Sequence, residues 1–320
     1  MRDGREASGG GRRSAGGGRH GAGPAGDHRP GRGRVLGPDG RSGGDGPPRA
    51  DGPPGGDRRL GDDRSPGDDA PRTGGVRGAD GVRGADGVGV VGVVGARGGA
   101  GATTLAAVLA RSLARRRPTV LVEAGPGPSL DTMLGLEAHP GLRWPDLTGA
   151  RGAVDPALLA GNLMRWGRCA VLPTDDDRPG PAPADALPDV LAALAQAYAS
   201  VVVDLDRTAV LAGGDGPGAR APLAACRSVL LVTPRDVPAV AGARLVRDAL
   251  ADRVAGVGLV ARGPAPGGLG PDEVGAALGL RVVGSLPWVR GLGEAVDRGV
   301  GPVLPGAVAR EVGRIAERLR

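Results

Sequence analysis

A run of valines punctuated by glycine, GVGVVGVVG (87–95), passes straight into the glycine-rich segment ARGGAGATT (96–104). That segment leads into LAAVLARSLARRR (105–117), whose apolar residues recur at helical spacing. A strand with valine on both faces has to be buried on both faces, so helices must cover both sides of its sheet. The texture recurs downstream. PTVLVEAG (118–125), CAVLPT (169–174), SVVVDLD (200–206), RSVLLVTP (227–234), VAGVGLVA (254–261) and LRVVGSLP (280–287) read as further buried strands. Residues 184–198, 237–252 and 271–279 read as helices between them. This alternation predicts an α/β fold with a mostly parallel sheet and helices on both faces. The roughly 230 residues from Val88 to the end suffice for one domain with its own core.

Residues 1–87 are a different material. Of 63 glycines and 30 prolines in the chain, 29 glycines and 9 prolines fall in the first 90 residues. Large apolar side chains are scarce there, so little surface is available to offset an ordering cost of about 1–2 kcal/mol per residue. A disordered Gly/Arg/Asp/Pro-rich arm over 1–87 is expected, followed by the folded domain at 88–320. The exact tandem repeat VRGADG (76–81 and 82–87) has too few copies for a solenoid and reads as linker, or as part of a flexible arm for acidic partners.

All 41 basic residues are arginine, lysine and phenylalanine are absent, and tyrosine, asparagine and isoleucine each occur once. The missing types share AT-rich codons, so the abundance of arginine follows from a GC-rich genome. The net charge of +6 is spread among interspersed signs, without the basic block that a nucleic-acid binder concentrates. Cys169 and Cys226 lie in or beside apolar runs and read as reduced, buried thiols. No apolar run is long enough to cross a membrane, and no signal-peptide core opens the chain. His20, His28 and His139 have no metal-ligand spacing, no Ser/His/Asp set is recognisable, and Trp144, Trp166 and Trp288 read as packing residues.

The strand–loop–helix unit at 88–117 carries the chemistry. Gly98, Gly99 and Gly101 let the backbone turn and aim its amides inward, at the positive end of the helix that starts near Ala102. Thr103 and Thr104 place hydroxyls in the first turn, where phosphate loops hold a metal or phosphate ligand. A second reading is a Rossmann-type dinucleotide site. Gly95, Gly98 and Gly101 make G-x-x-G-x-x-G, and Glu123 ends the next strand, where an acid binds a ribose.

ARGGAGATT resembles the deviant Walker A loop of the ParA/MinD ATPases, A/S-K-G-G-x-G-K-S/T-T. SVVVDLD resembles their Walker B strand, with Asp204 at the Mg²⁺-associated position. VLLVTPRDVPAVAGARLV (229–246) resembles the strand and helix that follow their second switch. Within that family, PGLRWPDLTGARG (140–152) and LVARGPAPGGLGPDEVGAALGL (259–280) resemble the actinobacterial CpaE-like branch of septum-site-determining proteins. That branch carries a receiver-like domain ahead of the loop, whereas here the sequence is low-complexity. The resemblance implies a P-loop fold and a nucleotide site of Arg97, Gly98, Gly99, Gly101, Ala102, Thr103 and Thr104. Thr103 and Asp204 would sit at Mg²⁺, and Glu123 would be the remnant of switch I.

Three family groups are replaced. Arg97 stands for the signature lysine, Ala102 for the phosphate-loop lysine, and Gly125 for the switch I carboxylate that activates water. The adenine-reading asparagine is not apparent in LVARGP. A loop lysine puts a full charge on the β and γ phosphates, so its loss weakens binding and transition-state stabilisation. The resemblance therefore implies weak ATP and Mg²⁺ binding with slow or no hydrolysis. It also implies a role in septum-site determination and cell division, or alternatively a CpaE-like ATPase or scaffold positioning Tad/Flp pilus or secretion machinery. Protein partners, a homodimer and a cytoplasmic location follow. Peripheral contact with the inner membrane face would come through 307–320, where Val308, Val312, Ile315 and Leu319 share one helical face. The alternative for that segment is a closing helix packed on the sheet.

Overall fold

The structure is a computed structural model and describes residues 89–213 and 217–319. The expected disordered arm at 1–87 lies outside the described residues. Strand β1 (Gly89–Gly95) leads through the glycine loop into helix α1 (Ala102–Leu113). Next come β2 (Thr119–Glu123), α2 (Leu130–Leu134), a 3-10 turn at Trp144–Leu147, α3 (Pro156–Asn162), β3 (Met164–Trp166) and β4 (Cys169–Leu172). The middle of the chain supplies α4 (Leu187–Ala197), β5 (Ser200–Asp204), α5 (Arg207–Leu211), α6 (Pro217–Ala225) and β6 (Ser228–Pro234). The last third supplies α7 (Val237–Leu250), β7 (Val257–Arg262), α8 (Pro271–Leu278), β8 (Arg281–Leu286), α9 (Leu292–Asp297) and α10 (Gly306–Arg318).

The eight strands form one sheet in the order β3-β4-β2-β5-β1-β6-β7-β8. Every pair is parallel except β3–β4 at one edge. Alternate valines serve opposite faces, as the pleat requires. Val91, Val93, Leu121, Val202 and Leu230 join a core with α1 and α10. Val90, Val94, Val120, Val203 and Leu231 join a second core with α4, α7 and α8. The expected architecture is therefore present. The order also removes the Rossmann reading: β2 pairs with β5 and not with β1, whereas the dinucleotide fold places its first two strands side by side.

The helices expected at 184–198, 237–252 and 271–279 are present, each one or two residues shorter at its C-terminal end, with α4 starting three residues later at Leu187 and with Pro188, Pro238 and Pro271 in their first turns. The expected strand at 254–261 starts instead at Val257, after a turn at Val254–Gly256. Both cysteines are free and buried, and burial pushes each thiol up to about 12.

Helix α10 closes the sheet. Val308, Val312 and Ile315 are buried against α1 and β8, and Arg318 donates to the Val283 carbonyl at 2.6 Å. The apolar face that membrane contact through 307–320 needs is consequently already covered. The same helix pair changes the picture of charge. Arg115, Arg116 and Arg117 from the end of α1 meet Arg310 and Arg314 from α10 around one groove, with Glu317 paired to Arg116 at 3.1 Å. Segments about two hundred residues apart thus build a basic concentration that the linear charge pattern conceals. No helix is long and apolar enough to cross a membrane among the described residues.

Because Ile315 is fully buried under β8, Ile315→Ala should lower the unfolding free energy by about 2–4 kcal/mol in a urea titration. A change near zero would mean that α10 does not pack on the sheet.

Candidate functional site

The loop between β1 and α1 is held at both ends by main-chain bonds. The Ala96 N–H donates to the Val232 carbonyl at 2.9 Å, and the Ala100 N–H turns back to the Arg97 carbonyl at 3.2 Å. Arg207 on α5 donates through Nε to the Ala96 carbonyl at 3.0 Å. Gly101 is the N-cap of α1 at φ 89° and ψ 28°, a left-handed conformation that favours glycine. No side chain caps α1, so its first amides stay available to an anion.

The loop opens onto a cavity of about 690 Å³ at the C-terminal ends of the strands. The cavity brings together every residue singled out in the sequence: Arg97 through Gly99, Gly101 through Thr104, Glu123, Gly125 and Asp204. It also includes Arg262 and Trp288.

Asp204 ends β5 directly opposite Val93 of β1 and lines the cavity together with Thr103. Burial raises its pKa to about 7, Thr103 pulls it down, and Glu123 and Asp206 add to the rise. A strand end and a helix start thereby bring two oxygen-bearing side chains to one place. Among the described residues no cluster of three or more His, Cys, Asp or Glu side chains could hold a metal by itself.

Glu123 faces the cavity but is already engaged. Its Oε2 accepts from the Leu130 N–H at 3.0 Å, the Thr174 N–H at 2.8 Å and the Thr174 hydroxyl at 2.8 Å. Burial raises its pKa, and these three bonds oppose the rise. Its carbonyl accepts from Trp144 Nε1 at 2.6 Å. Glu123 thus ties β2 to α2, the end of β4 and the 3-10 turn. Glu123 lines the cavity, where the switch remnant was expected, and its Oε2 also serves as a structural tie.

Position 125 is closed for a different reason. A Cβ there would lie 2.8 Å from the Asp206 Cβ, so glycine is what lets the chain pass. Asp206 itself caps α5, accepting from the Thr208 and Ala209 N–H groups at 2.8 and 3.2 Å.

Arg97 is half-exposed and pairs with Asp236 at 3.0 Å. Asp236 is also the N-cap of α7, accepting from the Ala239 N–H at 2.8 Å. Burial pushes its carboxyl up, but the Ala239 N–H and Arg97 outweigh this and hold it below the usual range. The D-V-P spelling ahead of a helix was a readable capping signal for Asp236.

Arg262 and Trp288 carried no such signal. Arg262 ends β7, and its Nη1 donates to the Ala100 carbonyl at 2.9 Å and more weakly to the Gly99 carbonyl at 3.4 Å. Trp288 lies over its guanidinium at 5.1 Å and is 60% exposed. Trp144 and Trp166 are buried packing residues as expected, but Trp288 is not.

No family model matches the sequence. An uncharacterized protein of Mycobacterium tuberculosis strain H37Rv is 35% identical over 203 residues, which is 62% of this chain and 54% of that protein. The chain spans about half the length of the curated relatives it matches. Among solved structures, a ParA family ATPase from Chlorobium tepidum aligns over 73% of this chain and all of its own, at 16% identity and a TM-score of 0.60. The septum site-determining protein MinD of Pyrococcus horikoshii, complexed with Mg-ADP, aligns over 72% of this chain and 95% of its own, at 18% identity and a TM-score of 0.58. The MinC:MinD cell division complex of Aquifex aeolicus aligns over the same shares at 20% identity and a TM-score of 0.57. The fold is that of the ParA/MinD ATPases.

The raised pKa of Asp204 has a consequence for stability. The folded carboxyl titrates near 7 and the unfolded one near 3.9, so between these values only the folded state holds the proton. That stabilisation is complete below the unfolded value and is lost as pH rises through about 7. Asp204→Asn, which cannot ionise, should therefore gain on the wild type as pH rises from about 5 to 8, by on the order of 2–3 kcal/mol in urea unfolding. A difference that does not change with pH would contradict this environment for Asp204.

Proposed function

We propose that the domain is a ParA/MinD-type nucleotide-binding protein. It takes ATP or ADP with Mg²⁺ at Arg97–Thr104 and hydrolyses ATP slowly or not at all. The observation that carries this reading is the placement of Thr103 and Asp204 together in one cavity beside the glycine loop. A helix-start hydroxyl and a strand-end carboxylate are hard oxygen donors. Mg²⁺ needs only one or two such protein groups and keeps water and phosphate oxygens for the rest. The donor set fits the ion, which when bound would offset charge on the phosphates.

The chain's own residues do the remaining work. The amides of the loop and the uncapped first turn of α1 donate to phosphate oxygens. Asp204 and Thr103 orient the metal side of the site. Arg207, Val232 and Asp236 keep the loop in place through Ala96 and Arg97. Hydrolysis needs a group that orients the attacking water. Glu123 is committed to Thr174 and Leu130, Gly125 has no side chain, and Asp206 caps α5. With alanine at 102, no lysine charge reaches the phosphates from the loop.

In the cell this protein would act in septum-site determination and division through protein partners, alone or as a homodimer. The fold shared with MinD and the existence of a MinC:MinD complex support that reading. A cytoplasmic protein that reaches the inner membrane face through a partner fits better than one that inserts α10, whose apolar face is packed. The second reading, a CpaE-like scaffold that positions Tad/Flp secretion machinery, draws on the same missing catalytic groups. It predicts partner binding that ignores ATP.

Calorimetric titration of the full chain with ATP–Mg²⁺ should give measurable binding, weakened about tenfold by Thr103→Ala and tightened about tenfold or more by Ala102→Lys. Phosphate release should stay at least about a hundredfold below that of an intact ParA-type ATPase. Turnover comparable to such an enzyme would overturn the proposal.

A further inference from the structure

The described residues contain one arginine whose placement the fold does not explain. Arg262 reaches from the end of β7, past β6, to the glycine loop on β1. It is half-buried, and among the described residues no carboxylate pairs with it. Its contacts are the Ala100 and Gly99 carbonyls and the face of Trp288. Nε and Nη2 donate to no described group. Burial and the nearby charge of Arg97 both disfavour its protonated form. Arg97 is offset by Asp236, whereas the half-buried charge of Arg262 has no carboxylate partner among the described residues, a costly arrangement unless an anion completes it.

The loop is shaped around this side chain. A Cβ on Gly101 would collide with Arg262 Nη1 and Cζ, so glycine there serves the guanidinium as well as the left-handed turn. Ala102, the next residue, is where a lysine would stand in an intact loop. Trp288 holds the guanidinium from the opposite side by cation–π contact. The planar fork is therefore fixed at the rim of the phosphate loop, with donors to spare and Thr103 and Asp204 in the same cavity.

We infer that Arg262 is a phosphate ligand which replaces, from β7, the charge that Ala102 no longer supplies from the loop. The ligand class is a nucleoside di- or triphosphate, and the contact is to its phosphates and not to its base. The inference rests on the nucleotide-binding reading above. Guanidinium pairs bidentately with phosphate oxygens. An arginine approaching from another strand would thus give binding without the geometry that a loop lysine brings to the γ phosphate.

The test is calorimetry of the full chain with ADP–Mg²⁺ and, separately, with Mg²⁺–pyrophosphate, on the wild type, Arg262→Gln, Arg262→Lys and Ala102→Lys/Arg262→Gln. Glutamine keeps an N–H donor on a shorter, uncharged side chain, and thermal melting checks that each variant folds. Arg262→Gln should lose at least about tenfold in affinity for both ligands, Arg262→Lys should keep most of it, and the added lysine should restore binding in the double variant. If the wild type binds and Arg262→Gln binds equally well or more tightly, the role of Arg262 is overturned and the nucleotide reading stands. Loss of ADP binding without loss of pyrophosphate binding would assign Arg262 to the base and also overturn the inference. If the wild type binds neither ligand at millimolar concentration, both readings fall together.

Discussion

Strands β1 and β5 run side by side in parallel, with Val93 opposite Asp204 as their last pair, and Asp204 itself belongs to the site. This pairing sets the geometry of everything at the C-terminal edge of the sheet. It brings the Asp204 carboxylate into the cavity with Thr103, which the glycine loop delivers in the first turn of α1. The pairing is sterically secure because its residues are valines buried on both faces. A rigid sheet thus holds a carboxylate in surroundings that raise its pKa, and a divalent cation would offset that cost.

The groups that would turn binding into hydrolysis have been given other uses. Glu123 fastens three segments that converge at the end of β2. Asp206 caps α5 and crowds position 125 so closely that glycine is required. Arg97 leans on the cap of α7. Each is a polar group near the loop whose lone pairs or donors already serve the fold. Under the proposed nucleotide reading, such a site would favour holding over cleaving, since catalysis needs groups preorganised toward the transition state.

Most of the fold was legible in the sequence, for a physical reason. Strands buried on both faces spell unbroken valine runs, and the long helices carry a repeat that shows over three turns or more. The edge strand β3, with three residues, and the five-residue helices α2 and α5 are too short for any period to show. Of the cavity lining, the loop glycines and Thr103 share one strand–loop–helix unit, and Asp204 ends a valine strand, so local patterns in the sequence point to them. The ties of Glu123 to Thr174 and Leu130 were not readable, because tertiary packing sets them. Arg262 was invisible among 41 arginines, and Trp288 looked like any other packing aromatic. Their pairing over Gly101 exists only once β7 and β1 share a sheet.

The central proposal is that this degenerate loop still receives a polyphosphate, held by backbone amides, Thr103, Asp204 and a charge imported from β7. A crystal structure grown with a non-hydrolysable ATP analogue and Mg²⁺ tests that claim most directly. The account predicts the triphosphate along the loop, Mg²⁺ beside Thr103 and Asp204, and Arg262 turned from the Ala100 carbonyl onto a phosphate oxygen. A cavity without nucleotide at saturating analogue, or a nucleotide whose phosphates lie away from the loop, would contradict it.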